Sequence, residues 1–215
     1  MTTSDRWMIT GAGSGLGRAL ALTALDAGRH VVATVRNDHP LPTQERLTVL
    51  RLDVRDRDAA RAAVERAAQA LGGLDVLVNN AGVGLVGAVE EATEEEARTI
   101  VDTNMLGPLW LSQAAIPIMR AQGRGHIVQV SSVGAAGTMP MLGLYAATKW
   151  GLEAFGEAMA GEVREHGVRV TLVEPGALDT AWGGASMRFS QPDAAYERLR
   201  LATFGTAQVP WPSSE

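Results

Sequence analysis

RWMITGAGSGLGRALALTALDAG, residues 6–28, decides the fold. Arg6 to Thr10 reads as a short strand, the residues up to Gly17 as a glycine-rich turn, and Arg18 to Ala27 as an alanine- and leucine-rich helix closed by Gly28. Strand, glycine turn and helix in that order aim the unpaired N–H groups of the first helical turn at one point, which suits a phosphate. Gly11, Gly15 and Gly17 give the turn its conformational freedom and let a pyrophosphate approach the backbone closely. Without the flanking strand and helix, the same glycines would read as an ordinary loop.

Working outward, HVVATV (His30–Val35), LTVLRLDV (Leu47–Val54) and LDVLVN (Leu74–Asn79) read as further strands. Between the last two, Asp56 to Leu71 carries Ala59, Ala63, Val64, Ala67 and Leu71 at helical spacing. Strands rich in Val and Leu without strict alternation belong to a parallel sheet covered on both faces, and repeated strand–helix–strand units make an open α/β domain. Glu96 to Arg120 reads as one long helix, interrupted or bent near Gly107–Pro108 and Pro117. Gly125–Ser131 and Val168–Glu174 are expected strands, with a helix from Tyr145 to His166 between them. Beyond Pro175–Gly176 the pattern fades; a short helix is expected within Pro192–Phe204, and TAQVPWPSSE holds no element that can be placed.

Composition narrows the function. A chain of 215 residues with 46% hydrophobic and 20% charged residues is that of a soluble globular domain. A net charge of −5 supplies no basic stripe for a nucleic acid, so no nucleic-acid partner is expected. With no cysteine there is no disulfide and no thiolate nucleophile or ligand, and the four histidines are scattered without metal spacing. The N-terminus lacks the pattern of a signal peptide and no apolar run is long enough to span a membrane. A cytoplasmic protein without membrane or metal is the expectation.

Chemistry gathers in SSVGAAGTMPMLGLYAATKWGLEAFGE, residues 131–157. Tyr145 and Lys149 stand four apart at a helix start, one turn apart on one face. A tyrosine of pKa near 10 is less than about 1 per cent ionised at pH 7, and a neighbouring cation favours the phenolate. Such a phenol can give or take a proton. Ser132, at the end of the strand HIVQVSS, is placed to share a carbonyl oxygen with it. An ordinary helix start followed by a surface lysine gives the same Tyr-x-x-x-Lys pattern. The Tyr145 helix also carries a line of small residues (Ala147, Gly151, Ala154, Ala158, Gly161) and a bulky one (Leu152, Phe155, Met159), either of which could pack on the sheet.

With these residues in place, the chain resembles the short-chain dehydrogenase/reductase family from about Arg6 to Thr180. Four motifs carry the resemblance in order and distance: the segment Thr10–Gly17, Asn79 to Gly82 (NNAG), Ser132 with Tyr145 and Lys149, and Pro175–Gly176 with Thr180; Asn104 falls where the family keeps a helix asparagine. The resemblance implies a Rossmann-type doubly wound parallel sheet flanked by helices, here expected to lack the usual last strand. Residues 1–180 would form the NADP-binding and catalytic core, and 181–215 the substrate lid and tail of the same domain. It implies hydride transfer between a nicotinamide and a carbonyl or alcohol carbon. Tyr145 would be the general acid or base, and Ser132 would polarise the substrate oxygen. Lys149 would bond the nicotinamide ribose and hold down the tyrosine's pKa, and Asn104 would help hold a water linking Lys149 to solvent. Gly11, Ser14, Gly15, Leu16 and Gly17 would hold the pyrophosphate, Asp53 and Val54 the adenine, Asn80, Ala81 and Gly82 the ribose. Pro175, Gly176 and Thr180 would cover the carboxamide, with Tyr145 and Lys149 also touching the cofactor.

At the end of the second strand, where a carboxylate would bind the ribose hydroxyls of NAD(H), this chain has Val35 and then Arg36. That replacement argues for NADP(H) over NAD(H), since a guanidinium matches the 2′-phosphate. Gly137 to Leu144, with Trp182, Met187 and Phe189, are expected to wall an apolar cleft for a neutral, moderately hydrophobic ketone, aldehyde or secondary alcohol, with Arg188 leaving an anionic substrate open. A homodimer through the Asn104 and Tyr145 helices is a further expectation, as is, in second place, an NADP(H)-binding regulatory or scaffold protein with little turnover.

Overall fold

The computed structural model describes residues 6–37, 41–176 and 187–209. The main sheet is built from β1 (Arg6–Ile9), β2 (His30–Val35), β3 (Leu47–Arg51), β4 (Val76–Asn79), β6 (Gly125–Val130) and β7 (Val168–Val173), with β5 (Gly84–Val86) set apart from it. Its six strands are parallel and stand in the order β3-β2-β1-β4-β6-β7. The order reverses between β1 and β4, so the connections leaving those two strands run in opposite directions and open a crevice at their carboxyl ends. Alternate residues feed two cores: Met8, Val32, Leu77 and Ile127 join one apolar cluster, Ile9, Val31, Ala33, Val76 and Val78 the other. Helices α2 (Arg57–Leu71), α4 (Gly107–Gln122) and α5 (Gly143–Val163) supply the first cluster, and α1 (Gly15–Asp26) the second.

Local chemistry sets the helix ends. Asp56 accepts the Ala59 N–H at 2.9 Å to start α2, and Gly72, at φ +68°, closes it. α1 begins at Gly15, three residues before the expected Arg18. Its glycines lie inside the first turn because packing requires them: a Cβ on Gly17 would stand 2.3 Å from Asn80 Nδ2 and 2.4 Å from Gly11 O. The expected single helix over 96–120 is three pieces: α3 (Glu94–Val101), a π turn (Asp102–Leu106) and α4, which runs on through Pro117. Thr93 and Glu96 cap α3 reciprocally.

At the amino ends of the strands, Asp75 is 4% exposed and takes a two-pronged bond from Arg6, at 2.9 and 2.6 Å, plus one from Arg124 at 3.2 Å. Arg6 above all holds its carboxyl down at about 2, against the cost of burial. This knot ties β1, β4 and β6 together at the end of the sheet away from the crevice.

A second sheet was not expected. β5 pairs in parallel with β8 (Met187–Phe189), and Ser190 N–H continues the ladder to Val86 O at 3.0 Å. Behind it, the short helix α6 (Glu197–Phe204) sends Arg200 into a buried ion pair with Glu91. Glu91 also accepts the Asp193 N–H at 2.7 Å and the Ala88 N–H at 2.7 Å, and Ser190 Oγ lies 3.2 Å from Glu96 Oε2. The segment after the sheet is thereby fastened to the segment after β4.

Candidate active site

A cavity of about 1150 Å³ occupies the crevice between the β1 and β4 ends. Drug-sized ligands fill roughly 300–1,000 Å³, so this space suits a dinucleotide with a second molecule beside it.

At its floor, the glycine turn is stitched to the end of β4. The Asn80 side chain donates to Thr10 O at 2.9 Å and Gly11 O at 3.3 Å, while the Asn80 and Ala81 N–H groups donate to Thr10 Oγ1 at 3.0 and 3.1 Å. A Cβ on Gly11, at φ +65°, would meet Ala81 Cα at 2.8 Å. Thr10 is thus a structural anchor of the site, a role that its place in the glycine motif does not reveal. Gly11, Ser14, Gly15, Leu16 and Gly17 all line the cavity. Ser14 makes no side-chain bond to the first turn of α1, unlike Asp56 and Thr93 on their helices. The uncapped N–H groups of α1 beside the cavity fit a pyrophosphate.

The adenosine end is lined by Val35, Arg36, Asp53 and Val54. Arg36 is exposed and Arg51 Nε donates to its carbonyl at 3.0 Å. Asp53 is engaged by Arg55, which donates to it at 2.6 Å, and that bond above all pulls its carboxyl below the ordinary range, with Arg36 adding to the effect. Gly107 lets α4 pack on this wall, where a Cβ would meet Val54 Cγ2 at 2.9 Å.

At the other end Ser132, Tyr145 and Lys149 converge with Ala81, Gly82, Pro175 and Gly176, and all seven line the cavity. Thr180 and Trp182 lie outside the described residues. Tyr145 is 5% exposed; burial pushes its pKa up, and a bond with the Ser132 hydroxyl pulls the other way. Ser132 Oγ also accepts the Gly134 N–H at 3.1 Å. Lys149 donates to Val130 O at 2.9 Å, and burial lowers its pKa to about 8 while Glu153 opposes the shift. Its nitrogen is 5.9 Å from the Tyr145 ring centroid. Among the described groups, burial of the phenol is the larger influence on Tyr145, and the Lys149 ammonium donates to a backbone carbonyl.

Asn104 fixes the backbone behind this group. Fully buried in the π turn, it accepts the Val83 N–H and donates to Val83 O, both at 2.9 Å, and donates to Thr148 Oγ1 at 3.2 Å. Its side chain is spent on fixing the start of β5 against α5, so it is a positioning residue.

The expected apolar cleft is half right. Val133, Met139 and Leu142 line the cavity. Met187 and Phe189 turn away into a cluster with Val86, Ala88 and Met141, because the alternation of β8 sends them to one face and Arg188 to the other. Met141 itself sits at φ +72°, held by the bond from Gly87 N–H to its carbonyl at 2.9 Å.

Fold and site together define an enzyme-like dinucleotide crevice with a Ser–Tyr–Lys group at one end. The family model "short chain dehydrogenase" matches residues 6–189, and the chain belongs to that family. It is 36% identical over 197 residues to the oxidoreductase BOA17 of Botryotinia fuckeliana, covering 89% of this chain and 72% of that protein. Among solved structures, a short-chain dehydrogenase from Streptomyces avermitilis superposes with TM-score 0.83 at 37% identity, covering 90% of this chain and 75% of that one. A metagenomic short-chain oxidoreductase in complex with NADP gives 0.74 at 32% identity, with 82% and 84% covered. The chain spans 64% to 72% of the length of three curated relatives it matches.

Of the 19 basic residues only Lys149 is a lysine, so biosynthetic 13C-lysine gives a single side-chain signal. Its titration by NMR is expected to centre at about 8. A midpoint at the ordinary lysine value would remove burial as the force on this group.

Proposed function

We propose that the protein is an NADP(H)-dependent oxidoreductase that interconverts a moderately hydrophobic ketone or aldehyde and the corresponding secondary or primary alcohol. The convergence of Ser132, Tyr145 and Lys149 at the end of a cavity floored by an uncapped glycine-rich helix start carries this reading. When bound, the nicotinamide supplies or receives the hydride. The protein's own part is proton supply and charge stabilisation. Burial keeps the Tyr145 phenol protonated at neutral pH, so it can donate to an oxygen that becomes negative as the carbonyl is reduced. Ser132 places a second hydroxyl beside it, and two donors aimed at that oxygen stabilise the transition state more than the ground state. Lys149 uses one N–H on Val130 O and has others for ribose hydroxyls. Ser131 Oγ donates to Glu153 at 2.5 Å and steadies the α5 side of this group.

Arg36 supports NADP(H) as the cofactor, in keeping with the NADP complex of the metagenomic relative. Asp53, the one carboxylate among the described residues lining that end, is engaged by Arg55, which leaves the field of those residues favourable to a 2′-phosphate. For assembly, α5 turns Leu152 and Met159 inward and leaves Ala147, Ala154, Ala158 and Gly161 exposed. A second copy packing on that small-residue face would make the homodimer; a purely monomeric boundary in sedimentation velocity at micromolar concentration would rule it out.

Tyr145→Phe is expected to lower kcat with NADPH and a ketone panel at least about 100-fold, in line with the loss of a positioned proton donor, while NADPH still quenches tryptophan fluorescence with little change in Kd. Turnover close to the parent's would remove the phenol from proton transfer. Arg36→Asp should erase or reverse the preference for NADPH over NADH in kcat/KM, and equal use of both cofactors by the parent would count against the assignment.

A further inference from the structure

Arg188 is the feature that the proposed chemistry leaves unused, and a role for it in substrate choice rests on the oxidoreductase reading. In the parallel β5–β8 pair, Val86 stands beside Phe189 and Leu85 beside Arg188. Paired residues of parallel strands share a face. Val86 and Phe189 enter the apolar cluster around Met141, whereas Leu85 packs in the cluster that contains Tyr145. Arg188 therefore rises on the tyrosine's side, one strand spacing from Leu85, about 4.8 Å. It is exposed and lines the cavity.

The surroundings make this charge distinctive. Around the catalytic end the described wall is neutral, with Val133, Gly134, Thr138, Met139 and Leu142. Among the described residues, the other charged ones lining the cavity are Arg36 and Asp53 at the adenosine end and the buried Lys149. Elsewhere Arg6, Arg55, Arg61, Arg98, Arg124 and Arg200 each have a carboxylate. Arg188 has none among the described residues. Its backbone is nevertheless held firmly by the β5 ladder, by Ser190 and by the buried Arg200–Glu91 pair. A guanidinium on a fixed strand, facing an apolar wall near a proton donor, is pre-organised to take an oxyanion in two-pronged fashion.

We propose that Arg188 determines substrate choice by binding a carboxylate, so that the substrate is an apolar carbonyl compound, or its alcohol, carrying an acid group away from the reacting carbon. The carbonyl meets Ser132 and Tyr145, the apolar body lies along Met139 and Leu142, and the acid reaches Arg188.

The test compares 4-acetylbenzoate with 4-acetylbenzamide, which differ in charge at one end, using the parent, Arg188→Gln and Arg188→Lys. The parent is expected to favour the acid in kcat/KM by about tenfold or more, the scale of a charge-assisted hydrogen bond. Arg188→Gln should remove that ratio through KM for the acid, and Arg188→Lys should restore part of it. Equal use of acid and amide by the parent overturns the proposal. So does an Arg188→Gln effect confined to KM for NADPH, which would assign the guanidinium to cofactor phosphates. Calorimetric binding of the two compounds to the NADP+ complex separates this inference from the reading beneath it. Tighter binding of the acid, lost in Arg188→Gln, supports the carboxylate site even if neither compound is reduced, and then only the redox reading fails. Equal binding overturns the site whatever the turnover.

Discussion

Asn80 holds the crevice together at its root. At the point where β1 and β4 part, one side-chain amide donates to the carbonyls of Thr10 and Gly11, and the Thr10 hydroxyl oxygen accepts from two N–H groups beyond β4. These groups lie where the sheet offers no ladder partner, and buried polar groups left unpaired cost free energy. The stitch works only because glycine stands at positions 11 and 17, where a Cβ would occupy the space of Ala81 and of Asn80 itself. The position of the helix start relative to the end of β4 follows from this one contact, and with it the distance between the phosphate end of the cavity and the catalytic end.

A second polar clamp builds the catalytic end. Asn104 grips the backbone of Val83 from inside a π turn, and Thr148 completes the contact from α5, its hydroxyl donating in turn to Tyr145 O at 2.7 Å. A π turn inserts a residue into an α-helix and redirects a side chain inward, a recurring use of that geometry at functional sites. Because the clamp joins the start of β5, the π turn between α3 and α4, and α5, the backbone that carries Tyr145 is tied to two other elements. The tyrosine can then lose its water without losing its position.

Much of this was legible in the residues because it depends on local order. Strand, glycine turn and helix must occur consecutively to present N–H groups to a phosphate, and Tyr145 and Lys149 must be one turn apart to share a face. Those readings placed the residues that line the cavity. What was not legible depends on partners distant in sequence. GLV and MRF are too short to show a period, and their pairing across a hundred residues has no local sign. The π turn has no signature beyond Gly107–Pro108 just after it. Spacing along a helix shows that Tyr145 and Lys149 are neighbours, but not the acceptor that Lys149 bonds, Val130 O, which comes from β6. The alternation in MRF did contain the information that separates Arg188 from Met187 and Phe189, once the segment is taken as a strand.

The distribution of cations then has a physical logic. Among the described cationic side chains that line the cavity, the one lysine of the chain is buried, whereas Arg36 and Arg188 are exposed. An ammonium is a compact charge with three rotatable donors, able to satisfy a carbonyl below and hydroxyls above in little space, and burial can lower its pKa without removing its donors. A guanidinium is wider, stays charged and matches oxyanions through a planar fork. Arg36 and Arg188 occur at wider, more exposed parts of the wall, where a phosphate or carboxylate can meet them edge on. Exchanging the two chemistries would leave a fork too broad for the space beneath Gly82, where an added Cβ would lie 3.7 Å from Lys149 Nζ, and a single point charge where two oxygens must be oriented.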